Sequence, residues 1–458
     1  MIKVKLIFGF VLKYFFQLFF LLIVLMLLYV RHLHVTRYKP FPIHLNNVLA
    51  YTKLPAYTQG EKINIYIHTT ADAEAFLFKL DKTLLPTNIH FDIKTQYQEN
   101  MYNIFEGLNW QNPYFLLTEG LSSGYYYLKI QQKKDTNSVY YLPLIISPKQ
   151  NPKIAVIAST NTWQAYNNFG GKSNYENSHL SRILKIIYFY LNYTDPIPNH
   201  LPFNRPYNLH NVIGKTENPF SYFSEEEHIR AEWNLAAFLS KNNYEYGVYS
   251  DFQLDKTPEL LNADVWIFNV HSEYWSHSMI TVLEQYIRKG GKVIWASGNN
   301  IYREIEYNEN GYYVSKQLID VERIKHLSGA FSSSTESGYG TMNSYKLIEQ
   351  KHWIFKNTSL KKHDNFGALT WIKKEGKTGA SGLETDKIAD SKFQILALGN
   401  NTFGPAYMVF RDSKNKGWIF NASSISFTSA LEKDSSITIM MKNMLNNAIQ
   451  NNYLSNEK

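Results

Sequence analysis

The feature that most constrains this chain is the change of pattern at Pro152, where apolar runs begin to alternate with amphipathic stretches. Residues 153–158 (KIAVIA), 244–249, 265–270 (VWIFNV) and 292–296 read as strands. Residues 178–192, 225–241 and 278–289 read as the helices between them, the last stopped by Gly290 and Gly291. Parallel strands need crossovers long enough to hold a helix, so this order predicts an α/β domain with a mostly parallel sheet. Sheets of that kind carry ligands outside the carboxyl ends of their strands. After Gly298 the chain turns polar and irregular. It returns to strands at 393–398, 406–411 and 418–421 and closes with a helix at 435–449.

Upstream, alternating segments at 62–68, 124–131 and 138–147 have the period of half-buried strands, and residues 40–150 are expected to form a small antiparallel β-sandwich. His68 falls in one of them as an ordinary strand position. Residues 6–30 are almost wholly apolar, interrupted by Lys13 and Gln17, and end in a sequence unlike a signal-peptide cleavage site. The expectation is an N-terminal transmembrane helix: residues 1–39 as a single-pass membrane anchor, with the soluble domains on the periplasmic or extracellular side.

Charge and cysteine content close off several function classes. Of the +8 net charge, six cations (Lys3, Lys5, Lys13, Arg31, Arg37, Lys39) lie in the first forty residues, leaving 41 basic against 39 acidic residues beyond. No basic block interleaved with aromatics follows, so nucleic acid is not an expected partner. The chain has no cysteine, which removes disulfides, thiolate metal sites and a thiol nucleophile. No glycine-rich phosphate loop follows the strand at Lys153.

Three strand ends carry chemistry-bearing residues. The first runs into residues 159–175, which hold Trp163, Tyr166, Gly170, Gly171 and Tyr175 and read as a polar, aromatic loop. The second delivers His271, Glu273, Tyr274 and Trp275. The third delivers Gly298, Asn299 and Asn300. Each could be a turn packed on buried aromatics, but three successive ends converging on one crevice favour a site. A carboxyl among aromatics is partly desolvated, which raises its pKa or calls for a cation. The run 224–228 (SEEEH) reads as a capping box rather than a metal site, and 205–207 (RPY) as a structural loop.

Residues 161–167 (NTWQAYN), 271–275 (HSEYW) and 298–300 (GNN) together resemble the large-subunit domain of N,N-dimethylformamidase and its relatives. The resemblance spans the chain from about Pro152 onward, so that 151–458 would be the catalytic domain. It implies a glutamine-amidotransferase-like fold and a mononuclear ferric iron, Fe(III), held by two tyrosinates and a glutamate. Carried across, the metal ligands would be Tyr166, Tyr175 and Glu273. His271 would act as acid/base group, Asn299 as substrate-orienting amide, and Glu384, in 379–384 (GASGLE), as a further catalytic group. Only nine residues separate Tyr166 from Tyr175, fewer than in the family's loop.

Phenolate and carboxylate are hard donors suited to a hard cation, and only a strong cation keeps tyrosine ionised near neutrality. The leading expectation is a metal-dependent hydrolase of amide-like C–N bonds acting on a small-molecule or envelope-derived substrate, anchored to the membrane, with self-association left open. The alternative is a non-catalytic envelope protein binding carbohydrate or peptide in an aromatic crevice, with Trp163, Tyr274 and Trp275 stacking on sugars.

Overall fold

The computed structural model describes residues 14–26, 28, 40–103, 105–171, 173–175, 199–207, 229–332, 341–373, 376–388 and 390–449. The expected helix at 178–192 and the 224–228 run lie outside them.

At the centre is a nine-stranded sheet. Its parallel half comprises β1 (Ile154–Ala158), β2 (Tyr246–Ser250), β3 (Val265–Val270), β5 (Lys292–Ser297) and β11 (Trp418–Asn421), in the order β2-β1-β3-β5-β11. Beyond β11 come β10 (Tyr407–Asp412), β9 (Gln394–Gly399), β7 (Tyr345–Leu347) and β8 (Asn365–Phe366), each antiparallel to its neighbour.

The sheet is therefore mixed, and the expectation of a mostly parallel sheet is corrected. The reason is loop length. Residues 413–417 are all that joins β10 to β11, far too few for the crossover that a parallel pair requires.

Successive residues of the buried strands point to opposite faces, and both faces are covered. Ile154, Val156, Val265, Ile267 and Ile294 pack with Leu235, Phe238 and Leu239 of α2 (Ile229–Lys241) and Met440, Met441 and Met444 of α4 (Ser435–Ile449). Ile157, Trp266, Phe268, Val293 and Trp295 pack on the other side with Met279, Ile280, Leu283 and Ile287 of α3 (His277–Arg288). Burial on both sides is why these strands read as unbroken apolar runs.

Two further layers frame the strand ends. Within 40–150, a five-stranded sheet and a three-stranded sheet share one apolar core that includes Ile63, Ile65, Ile67, Ala75, Leu77, Leu128 and Leu144. One pairing in the larger sheet, Tyr57–Thr58 with Val139–Ser147, is parallel, so this region is not wholly antiparallel either. His68 is buried there, and its Nδ1 accepts a hydrogen bond from the Gln98 amide at 3.1 Å. A four-stranded flap built on β4 (Tyr274–Ser276) and β6 (Arg303–Asn308) covers the other side. Among the described residues, strands dominate helices.

The expected transmembrane helix and single-pass anchor are also corrected. Among the described residues no helix is long and apolar enough to cross a membrane.

Candidate functional site

The run after β1 is not a loop at its start: Thr160–Tyr166 forms a helix, α1. Threonine and asparagine are poor helix formers, so its partners must hold it. The Ser159 amide and the Trp163 indole each donate to Glu232 Oε1 at 2.9 Å, and the Tyr125 hydroxyl donates to Oε2 at 2.7 Å. The Asn161 amide donates to Asp251 at 3.0 Å, and the Thr162 hydroxyl donates to the His271 carbonyl at 2.7 Å. At the carboxyl end, Arg205 donates from Nε to Gln164 Oε1 at 3.1 Å and from a terminal nitrogen to the Gln164 carbonyl at 2.7 Å. Burial dominates at Glu232 and Asp251, pushing each carboxyl up to about 8.

Tyr166 is the last residue of α1. The chain then turns through Gly170, whose φ of 74° is left-handed and whose absent Cβ would lie 2.6 Å from the Tyr102 ring. This turn brings Tyr175 back until its ring centroid is 4.3 Å from that of Tyr166. The Asn174 amide donates to the Ala165 carbonyl at 2.8 Å, and its side chain donates to the Tyr274 hydroxyl at 2.7 Å, which fixes the return.

β3 ends on Val270 with φ of 59°, a costly conformation for a β-branched residue and one that concentrates at functional sites. The kink delivers His271, Glu273 and Tyr274, each only 1% exposed. From β5, Asn299 (φ 53°) is held by a hydrogen bond from its amide to Asp386 Oδ1 at 3.0 Å. Leu383, at φ 67°, precedes Glu384.

All six residues singled out in the sequence meet here. The Tyr175 hydroxyl donates to both Glu273 oxygens at 2.8 Å and receives a hydrogen bond from the Tyr274 hydroxyl at 2.6 Å. Tyr166 hydrogen-bonds Tyr175, and its ring lies 5.6 Å from that of His271. His271 Nε2 sits between two carboxylates, 3.4 Å from Glu273 and 3.3 Å from Glu384. The Asn299 side chain donates to Glu384 at 2.6 Å.

Burial, opposed by His271 and reinforced by the Glu384 charge, raises the Glu273 carboxyl to about 7. Burial, then the carboxylate of Glu273, drives the hydroxyls of Tyr166, Tyr175 and Tyr274 well above the usual phenol range. Left to themselves, these phenols stay neutral.

Three participants were not read from the sequence as site residues. In the sequence Tyr274 reads as a stacking ring, Asp386 lies unmarked two residues past Glu384, and Arg303 carries no local signal. Trp163 and Trp275 are 4% and 0% exposed, so neither can stack on a ligand.

Among the described residues, no group of three or more His, Cys, Asp or Glu side chains is arranged to hold a metal ion. A cation here would depend on phenol oxygens. The donor set of tyrosine hydroxyls around a buried carboxylate fits that chemistry, being hard, rich in oxygen and short of compensating positive charge.

Fold and site define a mixed-sheet domain, helices on both faces, with a tyrosine–carboxylate–imidazole centre at its strand ends. The sequence matches the family described as N,N-dimethylformamidase beta subunit-like, C-terminal, over residues 89–442, and the chain belongs to that family. It is 23% identical over 428 residues to the N,N-dimethylformamidase beta subunit of an Alcaligenes species, a match covering 74% of this chain and 54% of that one. The chain thus spans about half the length of the curated relative it matches.

Solved structures overlap it loosely. The mmIFT52 N-terminal domain is 12% identical with a TM-score of 0.30, covering 45% of this chain and 86% of that one. A putative ThuA-like protein from Parabacteroides merdae is 10% identical with a TM-score of 0.27, covering 51% and 90%.

Proposed function

We propose that this chain is a metal-dependent hydrolase of amide-like C–N bonds, with ferric iron held by Tyr166, Tyr175 and Glu273. The observation that carries the reading is the convergence of the Tyr175 hydroxyl, at 2.8 Å, on both oxygens of a carboxylate that is 1% exposed, with two further tyrosines and an imidazole around it. Family membership and the likeness to a dimethylformamidase subunit support the amide-hydrolase part of this reading.

A hard trivalent cation bound there would supply Lewis acidity toward an amide carbonyl and toward water. The protein's own groups handle protons. His271, between Glu273 and Glu384, can hold one proton shared with either carboxylate. Glu384 is the more accessible of the two, with its side chain 11% exposed against 2% for Glu273. It is the group to take a proton from water and return it to the departing nitrogen. The Asn299 amide, on a backbone fixed by Asp386, holds Glu384 in place for that transfer.

The test is amine release from simple formamides by the full chain purified with ferric iron, compared with Glu384→Gln. Turnover that depends on iron and falls at least about 100-fold in the variant, as loss of a general acid–base does, supports the reading. Iron-loaded, folded protein that hydrolyses no amide removes it.

A further inference from the structure

Arg303 is the one arginine in an ion pair with the centre among the described residues, and its donors are not used there. It opens β6, in parallel register with Tyr274 of β4. Register partners present their side chains to the same face, so Arg303 faces the side from which Tyr274 reaches Tyr175. Its Nε stands 3.9 Å from Glu273 Oε1, with the side chain 29% exposed.

An arginine that serves to neutralise a carboxylate does so through paired hydrogen bonds of about 2.7–2.9 Å. Here the contact is Coulombic only, and Nε has no hydrogen-bond partner among the described residues. Arg205, on the far side of α1, shows the contrast: its donors are bonded to Gln164 at 2.7 and 3.1 Å. The Arg303 guanidinium carbon also lies 5.2 Å from the centroid of the Tyr302 ring, which restricts it beside the centre. An oriented, partly exposed, permanently charged fork next to a reactive centre matches carboxylate geometry. A small neutral amide offers it a carbonyl acceptor but no charge to pair with and no second oxygen for the fork.

We propose that Arg303 binds a carboxylate of the substrate, so that the site takes amides carrying a carboxylate near the scissile C–N bond, such as N-acyl amino acids. This rests on the amide-hydrolase reading of the same site. Hydrolysis adds water across the bond: the acyl carbon gains the hydroxyl and the amine nitrogen takes the proton, while the carboxylate on Arg303 is unchanged.

The experiment compares N-formylglycine with its methyl ester, by calorimetric binding to the iron-loaded full chain and by amine release. Wild type should bind the acid at least about tenfold more tightly, the scale of one charge-assisted hydrogen bond, and added salt should shrink that preference. Arg303→Met should bring the acid-to-ester ratio close to one. Arg303→Lys, which keeps the charge but not the fork, should restore part of it, with circular dichroism checking both folds.

A wild-type ratio of one overturns the proposal, as does a preference that survives in Arg303→Met, which would put the carboxylate on the metal. If the preference behaves as stated but neither compound is hydrolysed, the carboxylate contact stands and the hydrolase reading falls. If both compounds are hydrolysed and bind alike, the hydrolase reading stands and the role of Arg303 falls.

Discussion

Glu232 joins three parts of the molecule, and its removal can be worked through quantitatively. Its carboxyl accepts hydrogen bonds from Tyr125 of the β-rich region and from Ser159 and Trp163 at the start of α1. Glu232→Ala leaves three buried donors without an acceptor. At about 1–3 kcal/mol for each unsatisfied group, the loss is on the order of 3–9 kcal/mol.

Glu232→Gln behaves differently. Its carbonyl can still accept from Ser159 and Trp163, and its amide can donate to the Tyr125 hydroxyl, which accepts as readily as it donates.

The sign of the pH dependence follows from burial. The folded carboxyl is raised from 4.5 to about 8, so the folded state holds this proton more tightly than the unfolded chain. Stability from that proton is complete below the unfolded pKa and is lost as pH rises through the folded one. Relative to Glu232→Gln, which cannot titrate, wild type should lose about 2–3 kcal/mol between pH 6 and pH 8. Asp251, Glu273 and Asp386 titrate in the same window but are common to both proteins, so the difference isolates Glu232. Urea unfolding followed by tryptophan fluorescence at several pH values measures it. A difference between wild type and Glu232→Gln that is flat with pH would refute the reasoning.

Gly170→Ala should lower stability by about 1–3 kcal/mol, because the left-handed φ and the Tyr102 ring at 2.6 Å both oppose a methyl group. Thermal unfolding measures that loss, and iron titration should show weaker binding because the same turn returns Tyr175. Asp386→Ala removes the acceptor for the Asn299 amide and the Asn300 side chain at 3.0 Å each, and should cost about 2–4 kcal/mol. Steady-state kinetics on a formamide should show kcat falling more than KM changes, since the displaced Asn299 acts through Glu384.

Much of the sheet was legible because its strands are buried on both faces. The 265–270 and 418–421 runs and the 435–449 helix appear in the structure with the bounds their apolar patterns suggest. The antiparallel half was misjudged because strand composition says little about direction; the short link between Asp412 and Trp418 carries that information instead. α1 was invisible because TNTWQAY has little helix propensity and is held by Glu232, Asp251 and Arg205, all distant in sequence. The N-terminal apolar run suggests a spanning helix by hydropathy alone, whereas no helix among the described residues is long and apolar enough to cross a membrane.

At the site, His271, Glu273 and Asn299 follow the adjacent strands β3 and β5, which topology brings together, whereas Glu384 comes from the run after Ser381–Gly382. Asp386 and Arg303 could not be found that way: one acts by holding the Asn299 backbone, and the other is brought alongside Tyr274 by strand pairing.

The central claim is that the phenols packed around Glu273 form a metal centre, and the visible absorption spectrum during titration with ferric iron tests it most directly. The account predicts a phenolate-to-iron charge-transfer band that saturates at one iron per chain, weakens in Tyr166→Phe and Tyr175→Phe, and disappears in Glu273→Gln. Folded protein that stays colourless and retains no iron would contradict it.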